Sequence, residues 1–381
     1  MTKILNLFRT LYSLIVIYHK LKDLPYSKKI LMFYFPVRIY QENITELIGS
    51  LKEKNKFSIL VYNSASATEI KKKTNSFFLD LTLLKFIPFK NFFLKRVNYF
   101  FSSYLSYIYP PNSKNIYISH DIYDAPMVNL AIEKKIFLQI KKLDYIFLSS
   151  QISKNYFISK FKKYKIKIFP ELINTGYLKL DHIWKKVKRS KFSRKKKHIL
   201  IAPCSSFVNK KYNMTIDLEK IIFLLLNDLN QKVVYRPHPF DLTTKGNLHF
   251  IKRLIQVFSK NSNFYMDSSV SYLNSFKNSK FLITDLSSTA YTYAFATEKP
   301  VIFYSPDEKL LKKNKFLSFY YFIDRNKIGI TLTKFNQIKK KLIYFQKQKL
   351  IYKKRIISLR NQRIKYFNKS LMRTKKIINY L

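Results

Sequence analysis

The chain has 381 residues, with 72 Lys and Arg against 22 Asp and Glu, for a formal net charge of +50. That length suits two domains with separate cores, and the apolar and aromatic content excludes a disordered or low-complexity chain. The single cysteine, Cys204, excludes an internal disulfide and a multi-cysteine zinc site and fits a reducing compartment, while the charge imbalance predicts an anionic partner.

No window reaches the roughly 18 to 20 apolar residues of a transmembrane helix. The N-terminus comes closest, from Ile4 to Tyr18, but Arg9 interrupts it. No small-residue cleavage site follows, which argues against a signal peptide. Its polar positions Asn6, Arg9, Thr10, Ser13 and Lys20 fall on one helical stripe and leave a broad apolar face. Residues 1–24 are therefore expected as an amphipathic helix, either lying on a membrane surface or packed on its own domain.

Lys29–Phe35 is predicted as a strand, followed by a helix around Glu42–Lys54, a strand at Phe57–Tyr62 and a helix at Phe93–Tyr107. Strands at Ile116–Ser119 and Tyr145–Leu148 come next. This alternation predicts a parallel sheet covered by helices, a first domain over residues 25–184. Lys185–Lys197 is basic and barely apolar and is predicted as a linker. A second alternating series over 198–330 has strands at His198–Ala202, Lys232–Tyr235, Phe264–Met266, Phe281–Thr284 and Val301–Tyr304, with a helix near Leu248–Phe258. Residues 331–381 contain no acidic side chain and read as a basic helical tail. The expected fold is α/β: two Rossmann-like domains facing across a cleft, with ligands at the carboxyl ends of the strands.

Two loops that follow strands carry anion-binding residue types. In Arg236-Pro237-His238-Pro239 the prolines fix the backbone, so that Arg236 and His238 are able to aim two donors at a pyrophosphate. In Asp285-Leu286-Ser287-Ser288-Thr289 three hydroxyls stand at a helix start, where unpaired N–H groups favour a phosphate. Helix capping is the bland alternative for these hydroxyls, and Asp285 either accepts from a sugar hydroxyl or holds the turn. His120, at the carboxyl end of Ile116–Ser119 and followed by Asp121 and Asp124, is the candidate general base for an acceptor hydroxyl. The alternative there is a buried histidine bonded to a carboxylate. Two phosphate-ready loops suggest a nucleotide-diphosphate donor and hence a transferase. No Walker A, HExxH, GxSxG or GxGxxG motif is present, which argues against a P-loop ATPase, a zinc hydrolase, a serine esterase and a dinucleotide dehydrogenase.

Four segments occur in an order that resembles the CDP-glycerol glycerophosphotransferases, the teichoic-acid polymerase and primase type, whose fold is similar to B-type glycosyltransferases. They are IYISH ending at His120, GYLKLD at Gly176–Asp181, the RPHP segment, and TDLSS followed by KPVIFYSPDE. Ile199–Ser206 stands where the family has a strand leading into an APTW-like loop, here Pro203-Cys204-Ser205. The resemblance implies His120 as base, His238 as a pyrophosphate contact, and Ser205, Ser287, Ser288 and Thr289 around the donor phosphates. It implies a CDP-activated polyol donor and a lipid-linked or glycan acceptor; the basic tail and the N-terminal helix predict docking on the cytoplasmic face of an anionic membrane, and no residue cluster calls for a metal or cofactor. Asp121 follows His120 where the family usually has Gly or Ser. A nucleotide-sugar glycosyltransferase for capsule or lipopolysaccharide is the alternative on the same fold. The charge, with interleaved Tyr and Phe, also raises a nucleic-acid-binding protein, although no recognised module of that kind occurs. A non-catalytic relative is the last alternative.

Overall fold

The computed structural model describes residues 2–35, 41–52, 57–63, 77–80, 94–103, 105, 109–119, 121–123, 130–189, 197–205, 213–242, 245–269, 271–313 and 320–381. Two compact units divide the chain. Unit 1 contains 1–120, 130–179 and 368–381, and unit 2 contains 121–129 and 180–367.

The strands of unit 1 are β1 (Lys29–Phe35), β2 (Phe57–Asn63), β3 (Phe77–Asp80), β4 (Tyr99–Ser102), β5 (Lys114–Ile118), β6 (Tyr145–Leu148) and β7 (Glu171–Asn174). They form one sheet in the order β3-β2-β1-β4-β5-β6-β7, with every neighbouring pair parallel. The apolar run of β1 shows why. Leu31 and Phe33 enter a core with Ile44, Leu47, Ile48 and Leu51 of α2 (Gln41–Lys52) and Ile378 of the helix Ser370–Tyr380. Ile30 and Met32 enter a second core with Leu14 and Leu21 of α1 (Thr2–Lys22). A strand apolar on both faces belongs to a sheet covered on both faces.

α1 packs on its own domain, one of the two readings that the sequence leaves open. Leu14 and Leu21 are buried on the sheet, and Arg96 donates to the carbonyls of Leu21 and Leu24 at the C-terminal end of the helix. Ile4, Leu5, Phe8, Tyr12 and Ile15 remain exposed on the outer side. Among the described residues no helix is long and apolar enough to cross a membrane.

Unit 2 has β8 (His198–Ile201), β9 (Val233–Tyr235), β10 (Phe264–Met266), β11 (Ser279–Thr284), β12 (Val301–Tyr304) and β13 (Gly329–Leu332). Their order is β10-β9-β8-β11-β12-β13, again all parallel. This is the doubly wound order in which the connection reverses direction beside the first strand, between β8 and β11. Ligands of such sheets bind outside the carboxyl ends of the strands at that reversal.

Several local expectations change. Within Phe93–Tyr107 the described residues contain no helix: they hold β4, four buried residues of a central strand. Its dense aromatics fit a pleated, two-sided environment as well as a helix. Lys185–Arg189 is the last part of the helix Leu178–Arg189 rather than linker, with Leu178, Leu180 and Ile183 buried beneath the lysines. Residues 190–196 lie outside the described residues. Strands β3, β7 and β13 were not anticipated. The basic stretch 331–381 is helical over Gln337–Lys347, Lys349–Arg363 and Ser370–Tyr380, and it buries Ile338, Leu342, Phe345, Tyr352, Ile356, Leu359 and Ile378.

Candidate functional site in unit 2

Three neighbouring strands, β9, β8 and β11, deliver the candidate residues to one edge of the sheet. Because the strands are parallel and about 4.8 Å apart, their carboxyl ends lie side by side within about 10 Å. After β9 the chain runs Arg236-Pro237-His238-Pro239 into a 3₁₀ turn, Pro239–Leu242. After β8 comes Ala202–Ser205, and after β11 comes Asp285–Ser288, which leads into the helix Thr289–Thr297.

Two buried carboxylates bolt these loops together. Asp241 accepts hydrogen bonds from Ser205 Oγ (2.8 Å) and Asn247 Nδ2 (3.0 Å), and its own N–H donates to the His238 carbonyl (2.9 Å). It therefore joins the β9 loop to the β8 loop. Asp285 is fully buried; it accepts from the N–H of Cys204 (2.7 Å) and of Met214 (3.0 Å). It joins the β8 loop to the β11 loop at the topological reversal, helped by Thr284 Oγ1, which donates to the Ala202 carbonyl (2.6 Å). Burial pushes the Asp285 pKa above the ordinary carboxyl value, against the backbone N–H groups of Cys204, Met214, Leu286 and Asp285 itself, which favour the charged form. The same burial, with the Asp285 and Asp241 charges, pushes the Cys204 thiol up. The reading of Asp285 as the holder of its turn is the one this geometry carries, in place of a sugar contact.

Arg236 differs from its expected role. The guanidinium is buried and donates to Asp267 Oδ2 (2.6 Å), to the Ser269 hydroxyl and carbonyl (3.3 and 2.6 Å) and to the Ser271 carbonyl (3.3 Å). Its flat face lies over Tyr272, 4.2 Å from the ring centre. Both terminal nitrogens of the guanidinium are thereby engaged by the loop after β10, a structural role. It ties the β9 loop to the β10 loop and fixes the direction in which Pro237 and His238 leave the strand. Pro237 is buried and His238 is partly exposed.

At the β11 loop, Ser287 is buried and its Oγ accepts the Thr289 N–H (3.3 Å), an ordinary local cap. Ser288 and Thr289 are partly exposed, and the Ser288 side chain makes no capping hydrogen bond. At the next strand end, Ser305 Oγ, Glu308 Oε2, and Nε and Nη1 of Arg325 are buried without a hydrogen-bond partner among the described residues. Arg325 pairs with Glu308 Oε1 at 2.6 Å.

His120 and Asp124 lie outside the described residues. Asp121 is buried and accepts the Tyr123 N–H (2.7 Å), a turn that carries the chain into unit 2. His198, given no role from the sequence, bonds the Ser275 carbonyl (2.9 Å) at the opposite end of β8, where burial pushes it down to about 4. Sequence reasoning missed Asp241 and Asp267. Asp267 had a signal: Met266-Asp267-Ser268-Ser269 repeats the pattern of a strand end followed by Asp and hydroxyls that is seen at Thr284-Asp285-Leu286-Ser287. Among the described residues no group of three or more His, Cys, Asp and Glu is arranged to hold a metal ion.

Residues 116–379, more than two thirds of the chain, match the model of the family described as CDP-glycerol:poly(glycerophosphate) glycerophosphotransferase. The minor teichoic acid biosynthesis protein GgaB of Bacillus subtilis (strain 168) is 30% identical over 138 residues, which is 36% of this chain and 14% of that protein. The chain thus aligns with only a small part of that relative's length. Among solved structures, the wall teichoic acid polymerase TagF superposes with a TM-score of 0.64 at 17% identity, covering 100% of this chain and 95% of the other. The S. aureus MnaA–UDP structure gives 0.56 at 14% identity, over 92% and 95%. At such identities these two establish the fold alone: α/β with parallel sheets.

Proposed function

Because the chain belongs to the CDP-glycerol:poly(glycerophosphate) glycerophosphotransferase family, we propose that it moves glycerol phosphate, or a similar polyol phosphate, from a CDP-activated donor to a hydroxyl of a lipid-linked or glycan acceptor. The product is a cell-surface polymer of the teichoic-acid kind. The observation that carries this reading is the edge formed by the β9, β8 and β11 loops, which Asp241 and Asp285 lock around the reversal point. On that edge His238 and the Ser287–Thr289 turn stand together as donors for a diphosphate.

The acceptor oxygen attacks the distal phosphorus in line and gives up its proton to His120. The bridging P–O bond breaks, and CMP departs with its new charge on the phosphate. His238 and the Ser288–Thr289 helix start receive that charge. Asp285, Ser205 and Arg236 hold the loops and do not touch the phosphates. The assignment of His120 as base rests on the family resemblance. Ser305, Glu308 and Arg325, with their unmatched donors and acceptors, suit the nucleoside hydroxyls of the donor.

The same reading gives the protein an anionic membrane partner on the cytoplasmic face. Its support is the outward face of α1, where Ile4, Leu5, Phe8, Tyr12 and Ile15 are exposed on a chain of net charge +50. Each Lys or Arg near an anionic surface contributes on the order of 1 kcal/mol, so a few suffice.

Thermal-shift binding against CDP-glycerol, CDP-ribitol, UDP-sugars, CDP and CMP tests the donor class. A donor at about 100 times its Kd stabilises by ~2.7 kcal/mol. CDP-glycerol is expected to stabilise the wild type, and His238→Ala to remove the effect while leaving the unliganded melting temperature in place. Stabilisation by a UDP-sugar instead transfers the reading to the glycosyltransferase alternative, and silence across the panel ends it.

A further inference from the structure

We propose that Tyr321 is a positioning residue for the donor-phosphate turn, acting through the carbonyl of Ser287. The inference rests on the reading of Ser287–Thr289 as the phosphate site. Tyr321 lies in the helix Tyr320–Ile323, far along the chain from the turn, and is 3% exposed. Its hydroxyl donates to Ser287 O at 3.0 Å, and the same carbonyl accepts the Ala290 N–H at 3.1 Å.

The consequence follows from peptide geometry. In a planar trans peptide the C=O and the following N–H point in opposite directions, and the described chain contains no cis bond. Holding Ser287 O toward Tyr321 therefore turns the Ser288 N–H away from it. The hydroxyls of Ser288 and Thr289 stand on the partly exposed side of this turn, and the Ser288 hydroxyl is not engaged in capping the helix. One buried phenol thus orients the group that meets the anion.

Tyr321 is itself held from several sides. Its backbone carbonyl accepts the Tyr291 hydroxyl, and its ring meets the Tyr291 ring edge-on at 5.2 Å and that of Tyr123 at 6.3 Å. Tyr123 packs at 4.6 Å against Tyr291 and donates to Asp324 Oδ2 (2.8 Å). Arg363 holds that carboxylate with two bonds, 2.7 and 3.0 Å. A buried site that needed only apolar volume would be filled by phenylalanine, since a buried hydroxyl costs free energy unless matched. Here each of the three phenols ends on a carbonyl or a carboxylate of a different element. Burial also raises the Tyr321 phenol well above its usual pKa, so it stays a donor at any working pH.

The test is a double-mutant cycle on the full chain with Tyr321→Phe and Ser288→Ala, reading the calorimetric Kd for CDP. Tyr123→Phe serves as the control that removes a hydroxyl of the same cluster without touching the turn. Tyr321→Phe is expected to weaken CDP by roughly tenfold, and Ser288→Ala to add much less in the Tyr321→Phe background than alone. Tyr123→Phe is expected to lower the melting temperature about as far as Tyr321→Phe does, and to leave CDP affinity nearly unchanged. Strict additivity, or an unchanged Kd in Tyr321→Phe while Ser288→Ala weakens binding, overturns the inference and leaves the phosphate reading intact. A wild type that binds no CDP overturns both.

Discussion

Replacing Asp285 by asparagine perturbs the β8 and β11 loops at one point, and the single cysteine beside it reports the result. The carboxylate accepts one N–H at each oxygen, from Cys204 at 2.7 Å and Met214 at 3.0 Å. An amide keeps one acceptor and turns its own N–H₂ toward the other N–H, so one buried donor loses its partner. Hydrogen bonds to a charged group are worth ~1.5–3 kcal/mol and an orphaned buried donor costs ~1–3 kcal/mol. Relief of the charge's own desolvation offsets part of this, which leaves a local loss of about 2 kcal/mol. Cys204 labelling by a thiol reagent reads that loss directly, because each 1.4 kcal/mol of easier opening is about tenfold in rate. Removal of the Asp285 charge, which now pushes the thiol pKa up, acts in the same direction. Asp285→Asn is therefore expected to label more than tenfold faster, with equal rates in strong denaturant. The pH profile carries an independent sign. With its folded-state pKa raised above the ordinary carboxyl value by burial, Asp285 binds more protons folded than unfolded between those two values. Wild-type stability then falls as pH rises through that window, and the variant lacks this slope. Equal labelling rates and an unchanged denaturation midpoint would refute the argument.

Four further outcomes follow from the packing of the two units and of α1. Arg236→Ala leaves Asp267, whose side chain is 6% exposed, without its cation, and an uncompensated buried charge costs ~3–5 kcal/mol in chemical denaturation. For Asp267, burial opposes the shift, but the Ser269 and Ser275 hydrogen bonds and the Arg236 charge bring the pKa down. For Asp324, burial is likewise outweighed, by the Arg363 and Tyr123 bonds and the Arg363 charge. Their contribution to stability is therefore complete above about pH 4 and is lost as pH falls through the lowered values, which acid titration of wild type against Arg363→Gln checks. Gly329→Ala would set a Cβ 1.8 Å from the Val301 carbonyl oxygen, so β12 and β13 must separate, at a cost of about 1–3 kcal/mol or more in urea unfolding. On α1, Phe8→Ser with Tyr12→Ser is expected to reduce sedimentation with anionic vesicles by more than tenfold, since each large apolar side chain contributes ~1.5–3 kcal/mol. Equal binding to neutral vesicles would remove the electrostatic part of that claim.

The sequence carried the sheet of unit 2 well, because its strands are short apolar runs between turn residues, and β11 and β12 flank a helix with a plain start. It carried unit 1 less well. Aromatic residues serve helix and strand alike, so the pattern of β4 fits a helix equally well, and β13 is hidden because its Gly329 weakens a strand pattern while serving a close backbone approach. The positions of His238 and the Ser287–Thr289 turn were legible as strand-end chemistry. The division of labour among them was not. Whether an arginine or an aspartate meets a ligand or a neighbouring loop depends on partners 31 or more positions away, as with Arg236 and Asp267, or Asp285 and Cys204. Local pattern holds no record of such pairs.

The interleaving of the two units has a consequence for synthesis. Unit 1 receives its helix Ser370–Tyr380 only after all of unit 2 has been translated, and Ile378 completes the same core as Leu31 and Phe33. Domains generally fold in the order in which they leave the ribosome. Here the earlier-made sheet must wait with one apolar face incomplete while the later one closes. During that interval, chaperone occupancy and aggregation should concentrate on the first 179 residues, and a stop codon near position 368 should expose the waiting face permanently.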